Sequence, residues 1–201
     1  MELSQLCAAN YHYKRYTLDY FLESAERLGY QSIELWASGP HLHLEDFDAA
    51  RLAELNRKIK AHHLALRCFT PEQCVYAISV SHPDKVYRDR TVDFFNQHIE
   101  AAVHWTATTW WYLPALLIWM WDAEDAFGWC AEAMGRIARK AEQEGVTLAV
   151  ELLPSTPPTS AMKQASCAVC CARSTARALW AWRIQMSSPR RRWIPSPPSL
   201  M

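Results

Sequence analysis

Carboxylates, amides and aromatic rings gather where the apolar runs of this chain stop. The run ELSQLCA is followed by Asn10, Tyr11 and His12, QSIELW ends in Glu34 and Trp36, LALRCF leads into Thr70, Pro71, Glu72 and Gln73, and TLAV is terminated by Glu151. Imidazole, carboxylate and amide groups brought to one place can bind a polar ligand and move protons. Each has a plainer alternative: His12 as a surface loop histidine, Trp36 as packing, Glu72 as a solvated loop acid or helix cap. Glu151 differs, because a carboxylate closing an apolar run is costly to bury unless it is paired or bound to metal. It is therefore read as functional.

The elements that must position these groups follow a regular rhythm. TLDYFLESAERLG repeats Leu18, Phe21, Leu22, Ala25 and Leu28 at helical spacing and is stopped by Gly29. DFDAARLAELNRKIKAHH puts Leu52, Leu55 and Ile59 on one face, and YRDRTVDFFNQHIEAAV is a third helix. With ELSQLCA, QSIELW and LALRCF as strands, three successive strand–loop–helix units indicate a parallel sheet with crossover helices. The helix DAEDAFGWCAEAMGRIARKAEQEG and the strand VTLAVELL resume the pattern further on. In parallel α/β folds the chemistry lies at the carboxyl ends of the strands, where the groups above are found.

Composition narrows the class. With 201 residues, 50% of them apolar and 21% charged, the chain suits a soluble globular domain. A formal net charge of zero gives no general attraction to nucleic acid or anionic membrane. The charge is unevenly spread, however: all 21 acids lie at or before Glu151, whereas the segment beyond it is basic and has none. The start, MELSQLCAANYHYKRY, lacks the basic-then-apolar order of a secretory signal, so a cytoplasmic protein is expected. Seven cysteines without a regular framework fit reduced thiols.

The stretches LSQLCAANYHYKRYTLDYFLESAERLGYQSIELW, CFTPEQCVY and GVTLAVELL resemble the sugar isomerase and epimerase superfamily with the xylose isomerase-like barrel, and within it the fructoselysine 3-epimerase type. The resemblance covers residues 1 to about 103 and 122–153. It implies a (β/α)8 TIM barrel, here incomplete, that holds one divalent metal (Mn, Mg, Co or Ni) through a Glu on strand five, an Asp on strand six, a His on strand seven and a Glu on strand eight. Glu151 is the one position that matches. On this resemblance Glu151 is metal ligand and catalytic base, and His12, Trp36, Glu72 and Gln73 line a sugar site.

Strand four of such a barrel is typically an apolar run ending in a Pro-Gly turn. The chain instead has WTATTWWYLPALLIWMWD, with five of its ten tryptophans and no charge before Asp122. Reading the last base of each codon with the first two of the next is compatible with L-V-V-S-P-G followed by L-D-V, so residues 105–121 are read as frame-shifted. A membrane span would need about twenty apolar residues with aromatics at both interfaces, but these tryptophans are scattered and Pro114 interrupts them. A genuine buried strand with a tryptophan-rich insertion is the other alternative. Beyond Glu151 the same shift lets Trp180 to Ser187 read G-M-A-D-T-D-V, the look of strand six with its Asp. CAVCC does not make a closed zinc site, which needs four ligands. The domain reading is a partial barrel over 1–153 and an aberrant, poorly ordered tail over 154–201, short of the roughly 250 residues of eight units.

The expected function is that of a metal-dependent ketose 3-epimerase acting on a small sugar, impaired in this chain. A carboxylate removes the acidic proton beside the carbonyl while a metal stabilises the enediolate. The metal is expected not to be retained. A non-catalytic remnant that binds no metal is the alternative, and an intact member could be a homo-oligomer. A DNA-repair endonuclease on the same barrel is disfavoured by the acidity of residues 1–151.

Overall fold

The computed structural model describes residues 5–73, 78–105, 108–112, 122–151 and 179–181. Among the described residues, six strands form one sheet: β1 (Ala8–Ala9), β2 (Ser32–Ala37), β3 (Ala65–Pro71), β4 (Thr108–Tyr112), β5 (Leu148–Glu151) and β6 (Leu179–Ala181). They lie in chain order and every adjacent pair is parallel. Helices α1 (Leu18–Arg27), α2 (Ala49–Ala61), α3 (Lys85–Val103) and α4 (Ala123–Gln143) make the successive crossovers. Sequential parallel order with a helix between neighbours is the winding of a (β/α) barrel, here an incomplete one.

Each helix begins where a side chain can take up its free amides. Thr17 accepts from the Tyr20 amide at 3.2 Å, Asp48 from Arg51 at 2.8 Å, Asp84 from Val86 at 2.9 Å and Asp122 from Glu124 at 2.8 Å. The helix ends are equally local. Gly29 after α1 and Gly145 after α4 adopt positive φ, and His63 after α2 does so at φ 57 despite its side chain. Helix α3 starts two residues before the YRDR run that marks it in the sequence, because Asp84 provides the cap.

The core lies between sheet and helices. Ile33 and Leu35 of β2 and Phe69 of β3 are fully buried with Phe21 and Leu22 of α1, Ile59 of α2, and Phe95 and Ile99 of α3. On β2 the alternation is clean, with Glu34 and Trp36 on the opposite face. On β3 it is broken by a one-residue bulge: Ile33 pairs with Leu66 but Glu34 pairs with Cys68, leaving Arg67 as the extra residue. Leu66 therefore faces the helices with Ile33, whereas Cys68 and Thr70 turn to the face of Glu34 and Trp36. Helices α3 and α4 are also joined by ion pairs, Asp89 to Arg136 at 2.5 Å and Glu100 to Lys140 at 2.9 Å.

Two parts of the tryptophan-rich run lie among the described residues. TTWWY forms β4 as written, hydrogen-bonded between β3 and β5, because β-branched and aromatic residues suit a strand. Trp105, which opens the run, is buried. Its ring meets Phe69 edge-on at 5.0 Å and its indole N–H donates to the Leu52 carbonyl at 3.3 Å. Within the tail, Leu179–Ala181 pair with β5 as a strand, where the sequence as written suggested none. Residues 113–121, 152–178 and 182–201 lie outside the described residues, and with them most of the expected frame-shifted and aberrant segments.

Trp105→Ala is expected to cost about 3–5 kcal/mol, as for other fully buried aromatics, read as a lowered urea midpoint. A change near zero would show that the ring does not belong to this core.

His98 gives a second prediction. It is buried beneath Phe69 and Phe94, with Nδ1–H donating to the Phe94 carbonyl at 2.8 Å. Burial pushes its pKa down from 6.5 to about 4, partly opposed by that hydrogen bond. The unfolded chain thus takes up a proton between these values and the folded chain does not. Stability is fully present above pH 6.5 and falls as pH drops toward 4, by on the order of 2 kcal/mol between pH 7 and roughly pH 5. Thermal melts of His98→Leu should lose less over that interval than wild type; equal losses would refute the assignment.

Candidate functional site

The bulge and the parallel register converge on the carboxyl end of the first three strands. β1 stops at Ala9, opposite Glu34, and the chain turns into a single 3-10 turn, Asn10–Tyr13. Tyr11 and His12 are thereby carried over the strand ends. Glu34 and Trp36, two residues apart on β2, face the same way. Past the bulge, Trp36 pairs with Thr70, so the Thr70 hydroxyl meets Glu34 and donates to its Oε1 at 2.6 Å. That short distance is typical of a hydroxyl donating to a charged carboxylate. β3 runs two residues further than its apolar core, to Pro71, and delivers Glu72 and Gln73 into buried positions.

Together these residues enclose a cavity of about 460 Å³. Glu34, Thr70, Glu72 and Gln73 bring carboxylate, hydroxyl and amide groups to its lining, the last three of them buried, while Trp36 and the exposed Tyr11, His12 and Lys14 bring rings and a cation. The Tyr11 and Trp36 rings lie 5.0 Å apart at a tilt of 58°, and Lys14 Nζ sits 4.5 Å from the Tyr11 centroid. Glu72 is 1% exposed, which excludes a solvated loop acid. The Gln73 amide donates weakly to the Pro71 carbonyl at 3.5 Å. His12 is exposed at the rim, with its ring edge-on to Tyr11 at 5.4 Å.

The structure thus brings His12, Trp36, Glu72 and Gln73 into one cavity. Glu151 is the last residue of β5 and pairs with Tyr112 of β4. Its backbone lies at the same carboxyl end of the parallel sheet, and its side chain lies outside the described part of the structure. Lys14 is the charged lining residue the sequence did not single out. Its signal is weak: it is brought back over Tyr11, three residues earlier, only because Asn10–Tyr13 is a helical turn rather than an extended loop.

For a divalent metal, hard-cation chemistry asks for about six mostly oxygen ligands, several of them from the protein. Among the described residues, no group of three or more His, Cys, Asp or Glu could hold an ion. Glu34, Glu72 and His12 share the cavity without forming such a set, and Glu34 already accepts from Thr70. The described residues do not by themselves fit a metal centre. No described helix is long and apolar enough to cross a membrane.

Comparison with known proteins agrees with this fold. The chain is 24% identical to fructoselysine 3-epimerase of Shigella flexneri over 145 residues, covering 72% of this chain and 52% of that protein. It spans about half the length of the curated relatives it matches. The crystal structure of a D-psicose 3-epimerase in the presence of D-fructose superposes with a TM-score of 0.69 at 16% identity, covering 88% of this chain and 62% of that one. A xylose isomerase-like TIM barrel protein from Mycobacterium smegmatis in complex with magnesium superposes with a TM-score of 0.59 at 15% identity, covering 81% and 54%. At such identities these structures speak for the fold. The family model for the xylose isomerase-like TIM barrel matches residues 22–166, and the chain belongs to that family.

Proposed function

We propose that the cavity is the sugar-binding part of a ketose 3-epimerase site, of the fructoselysine or psicose type, in a chain whose turnover is impaired. The observation that carries this reading is the pairing of polar groups with aromatic rings in one lining at the strand ends. A ketose presents hydroxyls to acceptors such as Glu34 and Glu72 and to the Gln73 amide, while its C–H faces suit the rings of Trp36 and Tyr11. A cavity of about 460 Å³ is of the size that small ligands occupy. The fructoselysine 3-epimerase relative and the D-psicose 3-epimerase likeness point to the same substrate class.

The reaction needs a base beside the carbon next to the carbonyl. Glu151 is assigned that role and that of metal ligand, from its place at the end of β5. Inversion requires a second base on the opposite face of the sugar, for which no described residue is assigned. Impaired turnover is proposed with it, from the reading of residues 105–121 and of the chain beyond Glu151 as frame-shifted. The alternative, a non-catalytic remnant that binds no metal, shares the cavity and differs only in chemistry. A cytoplasmic setting is part of the proposal, in keeping with seven cysteines that follow no regular framework.

Two measurements test it. D-psicose or D-fructose should bind the purified chain, seen by ligand-observed NMR, and Trp36→Ala should weaken binding about tenfold, the loss of roughly 1.4 kcal/mol of stacking. No saturable binding of either sugar would overturn the proposal. The C-3 proton of the bound ketose should not exchange with solvent deuterium in the presence of Mn²⁺. Substantial exchange that Glu151→Gln abolishes would show that turnover is intact.

A further inference from the structure

Asn10 is fully buried at the point where β1 ends, yet it is not among the residues lining the cavity. The β1–β2 ladder stops at Ala9 and Glu34. Beyond it, the side chain of Asn10 does what another strand residue would have done. Its Oδ1 accepts from the Trp36 backbone N–H at 2.7 Å, and its Nδ2 donates to the Trp36 carbonyl at 3.1 Å. The second Nδ2 proton is directed to His41 Nδ1 at 2.8 Å. His41 is itself buried, and its Nε2 faces the Tyr16 carbonyl at 2.8 Å. A carbonyl only accepts, so Nε2 carries the ring proton and Nδ1 is the acceptor for Asn10. The amide cannot be reversed, because its NH₂ would then oppose the Trp36 N–H.

We propose that Asn10, oriented by His41, is a positioning residue that locks the end of β2 to the Asn10–Tyr13 turn and so sets the Trp36 and Tyr11 rings against each other in the lining of the cavity. One buried amide binds three segments: the turn carrying Tyr11 and His12, the end of β2 carrying Trp36, and, through His41, the loop before α1. Trp36 and Tyr11 are 5.0 Å apart, so a shift in either segment parts the rings. The consequence for sugar binding rests on the function proposed above; the positioning itself does not.

The test uses the full chain labelled with ¹⁵N-tryptophan, with the Trp36 resonances assigned by their loss in Trp36→Phe. His41→Asn keeps an acceptor near the place of Nδ1, whereas His41→Gln keeps a donor near Nε2 and leaves Asn10 without its acceptor. Asn10→Ala and His41→Gln are expected to shift or broaden the Trp36 amide and indole signals, and to weaken D-psicose binding about tenfold or more. His41→Asn should stay near wild type in both. A general loss of stability would affect the two His41 variants alike, so their difference identifies positioning. Trp36 signals unmoved in folded Asn10→Ala and His41→Gln, or His41→Asn as disruptive as His41→Gln, would overturn the proposal. Should Asn10→Ala not fold, the His41 pair decides. If wild type binds no ketose, the sugar reading fails while the Trp36 signals still decide the positioning.

Discussion

The single extra residue in β3, Arg67, sets the relation between core and cavity. In parallel strands, paired residues point to the same face, and a one-residue change of register moves every later side chain to the other face. Without the bulge, Trp36 would oppose Phe69, and the fully buried phenylalanine would be turned away from α3 and Trp105. With it, Phe69 stays in the core beside Leu35 while Thr70 comes to lie beside Glu34. Hydrophobic packing on one face and the charged hydrogen bond on the other are satisfied by the same backbone irregularity. Bulges commonly re-aim side chains next to functional sites in this way.

A buried acidic cavity is costly to build, which explains why its walls are so local. Glu72 is almost wholly removed from water, and a carboxylate in that position needs polar partners. The partners here come from short sequence separations or adjacent strands: Thr70 for Glu34, the Pro71 carbonyl for Gln73, and Asn10 for the backbone of Trp36. The aromatic part of the lining is equally local, since Tyr11, Lys14 and Trp36 contact one another.

Much of the architecture was legible in the residues. Helical spacing at Leu18, Phe21, Leu22, Ala25 and Leu28, or at Leu52, Leu55 and Ile59, marks faces that the structure buries, apart from the half-buried Leu18 and from Leu28, which lies exposed at the C-terminal end of α1. The parallel order follows from the alternation of strands and helices, and the residues lining the cavity follow from where the strands end. What was not legible is non-local or geometric. The bulge at Arg67 leaves no mark in ALRCFTP, because an apolar run reads the same with or without it. Lys14 could not be placed without knowing that the turn after β1 is helical. TTWWY looked foreign beside its tryptophan-rich surroundings, although its strand propensity alone is high, and Trp105 fits the core through Leu52, 53 residues away in sequence.

The order of the sheet, identical to the order of the chain, has a consequence for tolerance. In a singly wound array each unit leans chiefly on the ones before and after it, so perturbation decays with distance along the sequence much as it does in solenoid repeats. The pocket walls belong to the first three strands and their connecting turns. Substitutions, insertions or reading errors in later units therefore reach these walls across the β3–β4 seam, where Cys68 and Phe69 pair with Thr108 and Thr109, and through the packing of α4 on α3. The pocket walls thus meet the later units along one side alone among the described residues, so a change there acts on the walls at second hand.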